Sequence, residues 1–230
     1  MTADFASLVR ALAPEAALVA GAIVVLGLDM TILRRASLSA RNDFAAAGGG
    51  VAIAAALLLL YGAGAMGEVF GRVIVLDDLA VFARGALLVF TLLTLGFLSG
   101  GAVNRNPAEN VELILLGIAG MILMPAAQQL LLVFVALELS SLTLYVLVGM
   151  DKTRAESAEA ALKYFLVGGM SAAFLLFGFS LLYGATGSIH IDRISEALAS
   201  GDLSPLMAVA VVMVIVALGF KVTARWCSAG

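Results

Sequence analysis

LLLVFVALELSSLTLYVLVGM, from Leu130 to Met150, contains one charged residue, Glu138, at its centre. A helix rises about 1.5 Å per residue, so these residues cover the ~30 Å hydrocarbon core of a bilayer. A carboxylate is thereby placed near the membrane midplane. Insertion scales set the cost of a centred charge at roughly 2.5–3.5 kcal/mol. Such a group must face protein or water, and movement of protons or ions is the functional default. Lys163 and Lys221 interrupt later apolar runs in the same way.

Composition supports an integral membrane protein. The 230-residue chain is 63% hydrophobic and 13% charged, with a mean hydropathy of +1.11. Soluble domains are nearer ~45–50% apolar and ~25% charged. A net charge of −3 offers no basic patch for nucleic acid. Cys227 is the lone cysteine and His190 the lone histidine. An internal disulfide, a cysteine-clustered metal site and a His-based zinc or haem site are therefore not expected. The N-terminus, with Asp4 and Glu15 against Arg10, lacks the basic flank of a signal peptide and reads as a retained first span.

An all-α polytopic bundle of about seven spans follows. The spans run near Ala16–Leu33, Phe44–Tyr61, Leu79–Leu98, Val111–Ala127, Leu130–Met150, Ala158–Tyr183 and from Leu206 to Phe220. The last offers only ~15 apolar residues before Lys221, short of the ~17–25 a crossing needs. A short amphipathic piece, Ile191–Leu198, lies in the loop before it. With the N-terminus outside, the inner loops hold Arg34, Arg35, Arg41, Arg105, Lys152 and Arg154, against Arg10, Arg72 and Arg193 outside. That bias favours an external N-terminus. Small-residue stretches at Gly48–Gly50 and at Gly168, Gly169, Ser171, Ala172 and Ala173 read as helix contact surfaces.

Gly62-Ala63-Gly64-Ala65-Met66-Gly67 formally matches G-x-G-x-x-G. A dinucleotide site needs a βαβ unit around that pattern. Here the glycines follow a membrane span, so they read as an exit loop.

Glu138, Ser141 and Tyr145, at i, i+3 and i+7, form one polar stripe on their helix. It either lines a bundle interior or wet channel, or holds two helices together by a structural hydrogen bond. The first is favoured, since a Gln would serve structure at lower cost. Lys163 is open between function and a local pair, because Glu159 precedes it by four residues and its stem can snorkel. If the fifth and sixth spans are antiparallel neighbours, Glu138 lies ~9 Å deeper than Lys163 along the axis, within coupling range through water. Lys221 is interfacial if its helix stops there. If membrane-embedded chain continues, it is a buried lysine, and desolvation makes such a group a usable proton carrier. Asp29 and Arg84 read as structural, and His190 as a solvated loop residue.

At these residues the chain resembles subunit N of the bacterial proton-pumping NADH-quinone oxidoreductase, respiratory complex I, the counterpart of mitochondrial subunit 2. The resemblance rests on Leu131–Leu147 (LLVFVALELSSLTLYVL), Ala158–Val167 (AEAALKYFLV), Leu181–Ile189 (LLYGATGSI) and Leu218–Val222 (LGFKV). It implies an antiporter-like membrane subunit built of two inverted five-helix repeats, each with a discontinuous helix, after three extra helices. Residues 1–107 would be those three helices, and 108–230 an incomplete first repeat. By position, Glu138 matches the glutamate of the family's fifth helix, Lys163 the lysine of its sixth, and Lys221 the lysine of its broken seventh. The resemblance implies that they translocate protons, driven by quinone reduction elsewhere. It implies no flavin, iron–sulfur cluster or nucleotide in this chain, with quinone and NADH handled by other subunits, and residence in the bacterial inner membrane among the complex's other membrane subunits. A cation/proton antiporter or membrane-bound hydrogenase subunit of the same superfamily is the alternative. Where the family continues with A-x-P-F-H-x-W, this chain ends at Thr223–Gly230. A truncated, frameshifted or fragmentary form, inactive by itself, is the expectation.

Overall fold

The computed structural model describes residues 2–99, 106–200 and 204–223. Arg105 and Cys227, singled out above, lie outside them. Two compact units emerge, residues 1–127 and 128–230. Among the described residues seven helices are long and apolar enough to cross a membrane.

The first unit contains α1 (Thr2–Ala11), α2 (Ala13–Thr31), α3 (Leu38–Ala63), a hairpin of β1 (Gly67–Val69) and β2 (Ile74–Leu76), α4 (Asp78–Ser99) and α5 (Pro107–Leu123). Prolines stand in the first turns of α2 and α5, where a missing N–H costs nothing. Ser37 caps α3, its Oγ accepting from the Ala40 amide at 3.3 Å. The formal G-x-G-x-x-G stretch ends α3 and opens the hairpin. Gly64 and Gly67 sit there at φ 64° and 70°, angles a side chain resists, so the exit-loop reading holds. The hairpin itself, antiparallel with Val69 opposite Ile74, was not foreseen. Its runs of three residues are too short to show alternation.

α5 packs against α2, α3 and α4. Leu115, Ile118 and Ile122 meet Leu18, Val25, Ile53, Leu60, Leu88 and Leu95 in one buried cluster. That contact keeps α5 within the first compact unit, which runs to Ala127. Large apolar side chains such as Leu58, Leu79 and Phe97 point outward, as lipid-facing positions do.

Two ion pairs inside this unit join its helices. Arg84 of α4 is 1% exposed. Its Nη2 donates to Glu15 Oε1 at 2.5 Å and to the Ala11 carbonyl at 3.3 Å. Arg41 clasps Asp29 with two bonds of 2.7 and 2.5 Å. Asp29 and Arg84 thus tie α2 to α3 and to α4, as structural pairs do.

The second unit holds α6 (Leu130–Val148), α7 (Ala155–Thr186), α8 (Ile191–Ala199) and α9 (Pro205–Thr223). α9 corrects one expectation. Its helix starts at Pro205 and runs through Lys221, which gives an 18-residue span, Pro205–Val222, because Lys221 does not end the helix. His190 is a half-buried loop residue at the start of α8. Its backbone bridges Gln129, and its Nε2 lies 3.0 Å from Gln129 Nε2. The Leu130 amide donates to the Ile189 carbonyl at 2.9 Å and the Ile191 amide to the Gln128 carbonyl at 3.0 Å. Backbone pairing of non-sequential loops is invisible to a reading of sequence spacing.

Glu15→Ala strips the buried guanidinium of Arg84 of its counter-charge. Such a break should cost about 3–5 kcal/mol, read as an earlier unfolding midpoint of the purified protein in detergent. Glu15→Leu combined with Arg84→Met should cost less than either change alone. An unaltered midpoint in Glu15→Ala would contradict this role.

Candidate functional site

α6, α7 and α9 position the site. α6 and α7 run antiparallel through the short 149–154 link, and α7 packs closely along both α6 and α9. From α9, Lys221 reaches α6 with its side chain. Its Nζ donates to Glu138 Oε1 at 2.6 Å and to Ser141 Oγ at 3.0 Å. Both charged side chains are largely shielded, at 13% exposure for Lys221 and 19% for Glu138. Ser141 donates its own proton to the Leu137 carbonyl at 2.7 Å. Its oxygen can therefore accept from Lys221 while its hydrogen stays engaged on its own helix. The partner of Glu138 is thus Lys221, from the last helix, rather than Lys163.

Lys163 stands elsewhere. Its Nζ lies 2.7 Å from Glu159 Oε1, one turn back on α7, with both side chains 65% exposed in this chain. This is the i,i+4 pair that the spacing offered. Glu138 and Lys221 are brought together, and Lys163 is held on another face of α7.

The third member of the stripe, Tyr145, is buried. Its ring meets Tyr164 edge-on at 4.7 Å and Phe165 at 6.0 Å, favourable aromatic geometry. Its hydroxyl fills the notch left by Gly168, where a Cβ would overlap the phenol oxygen. A second close approach occurs at Gly178, whose added Cβ would lie 3.2 Å from the Ala210 carbonyl of α9. Of the small residues on α7, Gly168 and Ser171 are buried contact surface, whereas Gly169 has open space beside it and Ala173 is exposed. Chemically, the arrangement is an ammonium between a carboxylate and a hydroxyl, inside a bundle with an apolar exterior. It can hold or release a proton. Among the described residues no cluster of three metal-ligating side chains occurs.

Residues 127–227 match the family model of the transmembrane region of NADH:quinone oxidoreductases and Mrp antiporters. Subunit N 2 of the NADH-quinone oxidoreductase of Acidobacterium capsulatum is 39% identical over 231 residues, covering 96% of this chain and 46% of the relative. The chain belongs to the subunit N family of NADH-quinone oxidoreductases. Subunit N of Gemmatimonas aurantiaca is 41% identical over 172 residues, with 73% of this chain and 33% of the relative covered. Respiratory complex I from Thermus thermophilus with bound aureothin contains a similar chain, at TM-score 0.70 and 31% identity, over 91% of this chain and 44% of that one. An archaeal membrane-bound sulfane sulfur reductase shares the fold, at TM-score 0.67 and 22% identity over 89% of this chain. This subunit N relative spans less than half the length of the curated relatives it matches.

The family-matched segment contains Glu138, Lys163 and Lys221. Sequence reasoning passed over Ser171 as one more small residue. Its Oγ donates to the Ala217 carbonyl of α9 at 2.8 Å, a contact signalled by nothing in the local pattern.

Gly168→Ala should push Tyr145 from its notch and destabilise the protein by about 1–3 kcal/mol, the usual range for overpacking. In a Tyr145→Ala background the same change should cost much less, as measured by unfolding in detergent. Equal costs in both backgrounds would contradict the contact.

Proposed function

We propose that this chain moves protons across a membrane as the N subunit of a proton-translocating NADH-quinone oxidoreductase, coupled to quinone reduction carried out in other subunits. The observation that carries this reading is the Glu138–Lys221–Ser141 contact between two membrane helices. A structural tie could be made from neutral amides, at lower desolvation cost than a carboxylate and an ammonium.

The proposed mechanism turns on that contact. While Glu138 holds Lys221 close, the counter-charge keeps the ammonium protonated. A movement that separates the two leaves a partly desolvated ammonium without a partner, and the uncharged amine becomes the cheaper form. The proton then leaves along a hydrated path, and reprotonation restores the pair. Each ~1.4 kcal/mol of change in pairing alters proton occupancy tenfold. Ser141 accepts from the ammonium during the cycle. Lys163, with Glu159 as its resting partner, exchanges protons on the other face of α7. Glu138, Lys163 and Lys221 are thus the proposed translocation residues.

The same proposal places the chain in a bacterial inner membrane with its N-terminus outside, among the complex's other membrane subunits. Flavin, iron–sulfur clusters, NADH and quinone belong to those other subunits. Residues 1–107 are taken as three added helices and 108–230 as part of the first antiporter-like repeat.

A second reading, a subunit of a cation/proton antiporter or membrane-bound hydrogenase, is kept because the matching family model includes Mrp antiporters and the fold recurs in the archaeal reductase. Dependence of NADH-driven quinone reduction on this chain separates the two.

Glu138→Gln and Lys221→Met, introduced into the assembled oxidoreductase, should each lower proton pumping and coupled quinone reduction at least tenfold, with assembly retained on native gels. Lys163→Met should lower pumping less. Unchanged pumping in both Glu138→Gln and Lys221→Met would overturn the proposal.

A further inference from the structure

Ser171 lies on α7, the helix that packs against both α6 and α9, and is 2% exposed. Its Oγ donates 2.8 Å across to the Ala217 carbonyl of α9. In an α-helix that carbonyl is also the acceptor for the main-chain N–H four residues on, which here belongs to Lys221. The hydroxyl therefore engages the turn of α9 that carries the lysine, while α9 remains helical through Thr223.

Three residues earlier, on the same side of α7, Gly168 receives Tyr145 of α6. Tyr145 stands two turns beyond Glu138 on α6. α7 thus grips α6 through the Gly168 notch and α9 through the Ser171 hydroxyl. Both contacts lie within one turn of a single rigid helix. The approach of α9 is further fixed at Gly178, against Val214 and the Ala210 carbonyl. The axial position and rotation of α9 decide whether the Lys221 ammonium meets Glu138 at 2.6 Å. Because Ser171 bonds to the backbone at the base of that turn, its bond constrains helix position and not merely side-chain packing.

We propose that Ser171 is a positioning residue for proton translocation: its hydroxyl, bonded to the Ala217 carbonyl, sets the turn of α9 that presents Lys221 to Glu138. This rests on the proton-translocation reading above. A shared carbonyl also gives that turn an alternative to its own helical bond, so the same contact can steady α9 when the Lys221 turn loosens.

The test is a substitution series at Ser171 in the assembled oxidoreductase, with Glu138→Gln as a control in the same membranes. Protons pumped per NADH oxidised are measured, normalised to assembled complex. Ser171→Ala and Ser171→Cys both remove a strong donor, and Cys keeps nearly the original volume. Each should lower pumping about three- to tenfold, the effect of losing one buried hydrogen bond. Ser171→Thr, which retains the hydroxyl, should pump at least threefold better than Ser171→Cys. If Ser171→Ala does not assemble, the Cys and Thr variants give the same comparison. Full pumping in Ser171→Cys alongside a loss in Glu138→Gln would overturn the positioning role alone. Full pumping in Glu138→Gln would overturn the proton-translocation reading itself, and this inference with it.

Discussion

An ionisable side chain inside hydrocarbon must find its counter-charge within the protein, because the bilayer supplies neither water nor ions at that depth. The packing of this chain answers to that constraint repeatedly. Arg84 takes Glu15, Arg41 takes Asp29, and Lys221 takes Glu138. Each contact joins residues from different helices, so the charges also decide which helices are neighbours.

The pairs differ in what surrounds them. Arg84 and Glu15 are sealed between α2 and α4, with the guanidinium also held by the Ala11 carbonyl. An arginine remains charged at all physiological pH, which suits a fixed fastening. Lys221 meets a carboxylate and a hydroxyl, and its group is one that burial can switch between charged and neutral forms. It also stands near the end of the described part of α9, on a long side chain that spans from α9 to α6. α7 brings the two together: Gly168 admits Tyr145 on one side, and Ser171 reaches the Ala217 carbonyl on the other. A pair held at this spacing by a third helix changes when that helix shifts, which is how neighbouring subunits would act on it in the proposed cycle.

Local signals made much of this legible. The spans follow from runs of apolar residues, and Glu138 stood out because nothing near it was charged. Lys163 and Glu159 showed their i,i+4 relation openly, and the structure keeps it. The partner of Glu138 was not legible, because Lys221 lies 83 residues away and only the placement of α9 beside α7 brings it near. The same holds for Glu15 with Arg84 and for Ser171 with Ala217. Spacing along one helix reveals its faces, whereas contact between helices depends on packing that no single segment encodes. Apolar-run length makes the seventh span look short because Lys221 interrupts it, yet the helix continues through a lysine that has a carboxylate partner.

The central claim is that Glu138 and Lys221 are energetically coupled inside the bundle. A double-mutant cycle on unfolding free energy in bicelles, using Glu138→Gln, Lys221→Met and the combination, measures that coupling directly. A direct buried pair requires that the combined loss fall short of the sum of the single losses by about 1–3 kcal/mol. Single losses that add to within ~0.5 kcal/mol would show that the two side chains do not feel each other, and would contradict the account.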